Sequence, residues 1–161
     1  MILKYVPQDT SVTFSEVPSE ISLCINISGC PCRCPGCHSR YLWGDVGEDL
    51  TGLRLDSLIQ ENTGISCIVF MGGDRDPKYI NYLAGLAREH YPDLKVAWYS
   101  GRDNISPDID LSNFNYIKVG PYKEDCGPLT SSTTNQRMYR IDNQRIEEDI
   151  TNKFRANLCA Q

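Results

Sequence analysis

The chain has 161 residues, of which 40% are hydrophobic and 23% are charged, proportions that are typical of folded globular proteins and not of disordered chains. This length suits one domain and is too short for a complete eight-unit barrel, which takes about 250 residues. The formal net charge of −5 disfavours nucleic acid and anionic membrane surfaces as partners, because both attract an excess of basic side chains.

Cysteine is the unusual component of the composition. The chain contains eight cysteines, and five of them lie between Cys24 and Cys37. No apolar stretch approaches the roughly 20 residues of a membrane span, and the first residues do not resemble a secretory signal. In such a chain a cysteine cluster favours metal binding or redox chemistry over disulfides. We therefore expect a cytoplasmic, metal-binding protein.

The spacing of apolar residues predicts strands that alternate with helices. The predicted elements are extended segments at 2–6 and 12–17, strands at 21–27, 66–71, 94–99 and 116–119, helices at 53–62 and 77–90, and a helical turn near 108–113. The mostly charged residues 145–158 are predicted to form a helix with a solvated face. Alternating strands and helices indicate βα units, so the expected fold is α/β with a mostly parallel sheet and a single domain over residues 1–161.

Four of the predicted strands are followed by loops that carry cysteine or glycine. These loops are residues 29–38, which we call the cysteine loop, and residues 72–74, 100–101 and 120–121. Because the carboxyl ends of parallel strands share one edge of a sheet, ligands of such folds bind there. The sequence therefore predicts that the four loops lie together and form the functional site.

The cysteine loop has the spacing Cys30-x3-Cys34-x2-Cys37. Three thiolates on one irregular loop can hold three irons of a four-iron cluster and leave the fourth iron free for an external ligand. Two alternatives stay open. One is a structural zinc site made by four of the five clustered cysteines, and the other is a closed electron-transfer cluster with Cys24 or Cys32 as fourth ligand. Cys32 is an awkward ligand, since the side chains of such near neighbours tend to point apart.

Several residues outside the loop have a structural interpretation beside a functional one. Cys67 lies in an apolar run and is predicted to be a core residue, and Cys126 and Cys159 are interpreted as incidental. Ser100 and Lys118 follow or end strands, so they could reach a bound nucleoside. The structural interpretation is that the Ser100 hydroxyl caps a turn and that Lys118 is a surface charge.

The cysteine loop resembles that of the radical S-adenosylmethionine enzymes, whose signature is Cys-x3-Cys-x2-Cys after the first strand of the sheet. More narrowly, residues 29–38 are similar to the loop of the activating proteins of anaerobic ribonucleoside-triphosphate reductase. Further similar segments lie at Trp43, 70–74, 99–101 and 133–141, and the resemblance extends over about residues 14–141. It implies a small, partial and open β/α barrel of the radical S-adenosylmethionine type.

The resemblance also implies the roles of individual residues. Cys30, Cys34 and Cys37 would bind a 4Fe–4S cluster. The residues implied to bind S-adenosylmethionine are Gly36, Cys37, His38, Gly72, Gly73, Asp74 and Ser100, with the two adjacent glycines holding its amino group through their backbone. Asp74 stands where many members have glutamate, and Gly36 where many have an aromatic residue, so His38 is expected to take part of the contact with adenine.

The activity implied is the production of a glycyl radical. A flavodoxin-type protein would supply one electron, S-adenosylmethionine would be cleaved reductively, and the 5′-deoxyadenosyl radical would take a hydrogen atom from a glycine of the large reductase subunit. A partial barrel cannot enclose its own site, so residues 121–141 are expected to face the partner. Pairing of two copies into a homodimer stays open. The alternatives are an activase of another glycyl-radical enzyme, a small-molecule radical enzyme and a zinc-stabilised binding module.

Overall fold

The computed structural model of the chain describes residues 1–155, in which the predicted alternation of strands and helices holds for residues 21–119 and three further strands, β4, β8 and β9, were not predicted. The strands are β1 Lys4–Tyr5, β2 Ser11–Thr13, β3 Ser22–Asn26, β4 Glu48–Asp49, β5 Cys67–Met71, β6 Lys95–Tyr99, β7 Tyr116–Val119, β8 Arg137–Asp142 and β9 Arg145–Asp149. The α-helices are α1 Gly52–Glu61 and α2 Pro77–His90, and short 3-10 turns lie at Pro7–Asp9, Arg40–Trp43 and Leu111–Asn113.

One seven-stranded sheet organises the fold, with the strand order β2-β3-β5-β6-β7-β8-β9. The four central strands, β3, β5, β6 and β7, are parallel. The flanking strands β2, β8 and β9 are antiparallel to their neighbours. The α/β class is therefore confirmed, but the sheet is mixed rather than mostly parallel, since three of its strand pairs are parallel and three are antiparallel. Strands β1 and β4 form a separate two-stranded ribbon.

Both helices begin at a capping side chain and bury an apolar face. The Asp76 carboxylate accepts a hydrogen bond from the Tyr79 amide, and Pro77 occupies the first helical position of α2, as the sequence predicts. The Thr51 hydroxyl caps α1 in the same way. None of the helices in residues 1–155 is long and apolar enough to cross a membrane.

The sheet has a separate apolar cluster on each face. On one face, α1 and α2 pack against strand residues that include Phe70 and Trp98, and the indole of Trp98 is fully buried. On the other face, Cys24 and Cys67 lie among buried residues that include Phe154. The prediction that Cys67 is a core residue is confirmed.

The predicted helix over residues 145–158 is wrong where it begins, because residues 145–149 form β9. Asn143 and Gln144 both have positive φ angles of 50° and 63°, the conformation of a two-residue hairpin turn that matches strand twist. All five residues of β9 are exposed, so the strand lacks the alternation of apolar and polar residues that marks a half-buried strand. The end of the predicted helix and Cys159 lie outside the described residues.

The two buried thiols give a prediction about alkaline stability. Burial raises the pKa of Cys24 from 9.0 to about 11 and that of Cys67 from 9.0 to about 12. The folded state therefore keeps protons that the unfolded chain releases, so the contribution to stability is complete below pH 9.0 and is lost as the pH rises toward about 11 to 12.

We expect the free energy of unfolding to fall less steeply above pH 9.0 when both thiols are replaced in a Cys24→Ala, Cys67→Ala variant. Denaturant titrations at about pH 8 and about pH 10.5, in the presence of reductant, measure the two slopes. Parallel pH profiles for wild type and variant would contradict the assignment.

Candidate functional site

The loops after the central strands lie side by side and are hydrogen-bonded to one another. The Gly72 amide donates to the carbonyl of Tyr99 at 3.0 Å, and the Ser100 amide donates to the carbonyl of Lys118 at 2.8 Å. The indole of Trp98 donates to the Gly72 carbonyl at 2.8 Å. The predicted convergence of these loops at the carboxyl edge of the sheet is confirmed.

The cysteine loop turns through backbone conformations that glycine permits. Gly29 and Gly36 have φ angles of 75° and 78°, in the left-handed region that costs other residues energy. The Cys30 amide donates to the carbonyl of Leu42 at 2.8 Å, so the 3-10 turn Arg40–Trp43 supports the start of the loop. The loop is therefore held by backbone contacts on its outer side.

The three cysteines of the motif are free and half-buried. The Cys37 amide donates to the carbonyl of Cys34 at 3.1 Å, and the amide of Ser39 donates to the Cys37 sulfur at 3.4 Å. Within residues 1–155, no three side chains of the types His, Cys, Asp and Glu are close enough together to hold a metal ion. The structure thus places the three thiols on one loop without gathering their sulfurs around a common point.

The donor set nevertheless has the chemistry that an iron–sulfur cluster requires. The Cys37 sulfur accepts a hydrogen bond from the Ser39 amide, and the neighbouring groups of Cys32 and Arg33 lower the pKa of Cys30 to about 6. Backbone donors of this kind stabilise thiolate ligands and tune the cluster that they hold. One motif sulfur therefore has a supporting hydrogen bond and a second has a pKa that favours the thiolate form, and on these observations the residues fit the cluster.

The thiol of Cys32 does not point away from Cys30, contrary to the expectation for near neighbours. The neighbouring Cys32 side chain is the main cause that lowers the pKa of Cys30 to about 6. The proximity of Cys30 in turn raises the pKa of Cys32, with burial and the charge of Asp74 as further causes. The Cys32 sulfur lies 3.8 Å from a carboxylate oxygen of Asp74.

Asp74 and Ser100 are buried and bonded to each other. The Asp74 carboxylate accepts hydrogen bonds from the Ser100 hydroxyl and, at 2.8 Å, from the Gly101 amide. The Ser100 hydroxyl in turn accepts one from the Arg102 amide at 3.1 Å, which is the capping interaction expected for it. The two side chains thus hold the backbone of the adjacent turns in place. A cofactor bound at this edge would contact that backbone and not these two side chains.

Gly72 and Gly73 cannot be replaced without strain. Their φ angles are 106° and 94°, and a Cβ atom on Gly73 would lie 2.4 Å from the Ile80 side chain. A Cβ atom on Gly72 would lie 3.2 Å from the carbonyl oxygen of Ile27. The two glycines therefore allow a tight turn that packs closely against Ile27 and Ile80, with Gly73 buried and Gly72 half-buried.

The interpretation of Lys118 as a surface charge is wrong, because only 8% of the residue is exposed. Its ammonium donates to the carbonyls of Gly120 at 2.9 Å and Ser100 at 3.3 Å, and it lies over the ring of Tyr99. Burial lowers its pKa from 10.5 to about 8, against the opposing effect of Asp74. A buried cation thus lies directly beneath the turn at residues 100–101.

An aromatic side chain that sequence reasoning missed lies against the cysteine loop. The rings of Tyr122 and His38 meet edge to face with centroids 5.6 Å apart. A Cβ atom on Gly36 would lie 3.4 Å from the Tyr122 ring. Tyr122 follows the predicted turn at residues 120–121, so an aromatic residue just beyond a strand end was the available signal. It supplies an aromatic ring beside Gly36, a position where the resembling enzymes often carry one.

Two cavities border the site. One of about 330 Å³ lies between Pro35 and residues 122–126. The other, of about 340 Å³, lies on the face of the sheet opposite the helices and is lined partly by Tyr99, Lys118 and Gln136. Residues 128–130 also line the second cavity, so parts of the segment 121–141 do border an open space next to Lys118.

Comparisons of the chain with protein-family models, with curated protein sequences and with solved structures find no match. The resemblance of the cysteine loop therefore rests on the residues of the loop and on the segments that accompany it. The structure adds that these segments meet at the carboxyl edge of the sheet, where Cys32 lies beside Asp74 and Gly101.

Proposed function

We propose that the chain is a radical S-adenosylmethionine activase with a small, open β/α barrel, which generates a glycyl radical on the large subunit of anaerobic ribonucleoside-triphosphate reductase. The observation that carries the proposal is the position of the cysteine loop, whose Cys32 sulfur lies 3.8 Å from Asp74, directly against the turn after β5. A thiol loop beside a glycine turn at the carboxyl edge of parallel strands is the arrangement that the proposed chemistry needs.

In this proposal Cys30, Cys34 and Cys37 hold the 4Fe–4S cluster and leave one iron for S-adenosylmethionine. When bound, the cluster would supply the electron that cleaves the sulfonium reductively. The backbone hydrogen bond to the Cys37 sulfur and the lowered pKa of Cys30 would favour these thiolates as ligands. A flavodoxin-type protein is the proposed electron donor, and the cytoplasm is the proposed location.

The remaining residues of the site would bind and orient S-adenosylmethionine. The backbone of the turn at Gly72 and Gly73, of which Gly72 is half-buried, would hold its amino group, and the buried ammonium of Lys118 is the group that can attract its carboxylate. His38 and Tyr122 present aromatic rings beside Gly36, where an adenine ring could stack. Asp74 and Ser100 act on the ligand by holding the backbone of these turns.

The protein partner would complete the wall of the site. The cavity beside Lys118 is lined by residues 128–130 and Gln136, which belong to the segment expected to face the partner. A substrate that is itself a protein can bring its own glycine-bearing segment to such an opening and exclude water from it. Pairing of two copies into a homodimer is compatible with the proposal, which does not depend on it.

The test is the appearance of the radical on the reductase. The chain, reconstituted anaerobically with iron and sulfide, is mixed with a one-electron reductant, S-adenosylmethionine and the large subunit. We expect a glycyl radical signal in electron paramagnetic resonance spectra, and no signal without S-adenosylmethionine. Formation of 5′-deoxyadenosine without a glycyl radical would contradict the assigned partner and favour another glycyl-radical enzyme or a small molecule. No cleavage of S-adenosylmethionine would contradict the enzyme class.

A further inference from the structure

Cys32 makes contacts that the three-cysteine motif does not require. Its sulfur donates to the Asp74 carboxylate at 3.8 Å. A Cβ atom built on Gly101 would lie 2.8 Å from the same sulfur and 3.3 Å from the Cys32 Cβ, so the Cys32 side chain packs flat against the Gly101 backbone.

We propose that the Cys32 thiol is a positioning group that latches the cysteine loop onto the Asp74 carboxylate and the Gly101 backbone, and that it is not an iron ligand. The inference rests on the proposed function only in naming the loop as the iron-binding segment. The contacts themselves belong to the chain without metal, so the latch can be tested separately from the chemistry.

The latch explains how the loop keeps its place over the sheet. The backbone contacts of Cys30 with the turn Arg40–Trp43 hold the outer side of the loop. On the inner side, Cys32 links the loop to Asp74, and the same carboxylate accepts the Gly101 amide. One carboxylate therefore joins the cysteine loop, the turn after β5 and the turn after β6.

Gly101 is explained by the same contact. A larger residue would displace the Cys32 sulfur, because contacts under 3.0 Å between a Cβ atom and a neighbouring atom essentially never occur. The space that a Cβ atom on Gly101 would need is occupied by the Cys32 sulfur. A change at Gly101 should thus act on the cysteine loop through Cys32.

The first experiment uses the full chain without metal and follows amide hydrogen exchange at Cys30 and Cys37, whose N–H groups are hydrogen-bonded. Loss of one hydrogen bond of ordinary strength predicts exchange about five- to tenfold faster in Cys32→Ala. Cys32→Ser, which keeps a donor, should restore most of the protection. Cys126→Ala, a half-buried cysteine outside the loop, is the matched control and should match wild type. Unchanged exchange in Cys32→Ala overturns the latch.

The second experiment is a double-mutant cycle. Gly101→Ala should speed exchange at Cys37 about fivefold in wild type, because it pushes the Cys32 sulfur away. In the Cys32→Ala background the same substitution should have little effect, since the displaced atom is gone. If Gly101→Ala speeds exchange at Cys37 by the same factor in wild type and in Cys32→Ala, the inference is overturned, because Gly101 then does not act through Cys32.

The third measurement separates a latch from a ligand. After reconstitution, Cys32→Ala should keep the iron content of wild type, while the change that S-adenosylmethionine produces in the cluster spectrum should weaken. Loss of iron to the level of Cys34→Ala would make Cys32 a ligand and overturn the inference. If no variant and no wild-type preparation holds iron, the proposed function fails, whereas the exchange experiments still decide the latch.

Discussion

Replacing Cys34 by alanine is expected to lower the iron bound after anaerobic reconstitution at least about tenfold, with the same result for Cys30 and Cys37. In the proposed site each of the three thiolates would supply the protein ligand of one iron, and Cys32, the remaining thiol of the loop, lies against Asp74 and Gly101. Iron and sulfide analysis measures the effect.

Two other cysteines provide matched controls for this prediction. Cys24 is buried on the far face of the sheet, and Cys126 is half-buried outside the loop. Alanine at either position should leave the iron content unchanged. Full iron content in Cys34→Ala, or loss of iron in Cys24→Ala, would contradict the ligand assignment. A different set of cysteines would then form the metal site.

Replacing Lys118 by methionine is expected to reduce the affinity for S-adenosylmethionine about tenfold or more, since a hydrogen bond to a charged group contributes about 1.5–3 kcal/mol. The free energy of unfolding should change by less than about 1 kcal/mol. Burial lowers the pKa of Lys118 to about 8, so the folded state pays to keep the ammonium charged at neutral pH. Methionine removes this cost and loses two hydrogen bonds to carbonyls, and the two effects nearly offset.

Lys95 is the matched control for Lys118. The same substitution at Lys95 should lower the stability and leave the affinity for S-adenosylmethionine unchanged. Lys95 pairs with Glu20, whose side chain is only 5% exposed and also bonds to Ser66 and Tyr116. Removal of the lysine leaves this buried carboxylate without its cation, which predicts a loss of about 2 kcal/mol in stability.

Calorimetry and denaturant titration compare Lys118→Met with Lys95→Met. We expect Lys95→Met to bind S-adenosylmethionine as wild type does, since the ion pair lies at the opposite end of the strands. A Lys118→Met variant that binds with unchanged affinity would remove Lys118 from the site. A Lys118→Met variant that unfolds would assign it a structural role instead.

The regular elements were predictable because their local signals agree with their surroundings. The apolar run of β5, the alternation in β3 and the Asp76-Pro77 start of α2 each combine a period with a cap or a turn. Strand β9 was missed because all of its residues are exposed, and its partner lies across a turn of two residues with positive φ. A charged exposed strand and a charged exposed helix have nearly the same pattern in sequence.

The candidate site was predictable in its position but not in its contacts. The spacing of Cys30, Cys34 and Cys37 identifies the loop, and strand order brings the glycine turns beside it. The burial of Lys118 depends on the packing of the neighbouring turns and Tyr99 around it, which no local pattern encodes. The contact between Cys32 and Asp74 likewise joins residues 42 positions apart, so only the folded chain reveals it.

The central claim is that three thiolates hold a four-iron cluster with one iron left open to S-adenosylmethionine. The most direct measurement is electron paramagnetic resonance of the reduced, anaerobically reconstituted chain before and after addition of S-adenosylmethionine, together with metal analysis. We predict about four irons per chain and a spectrum that changes when S-adenosylmethionine binds. One zinc per chain without iron, or a cluster whose spectrum S-adenosylmethionine leaves unchanged, would contradict the account.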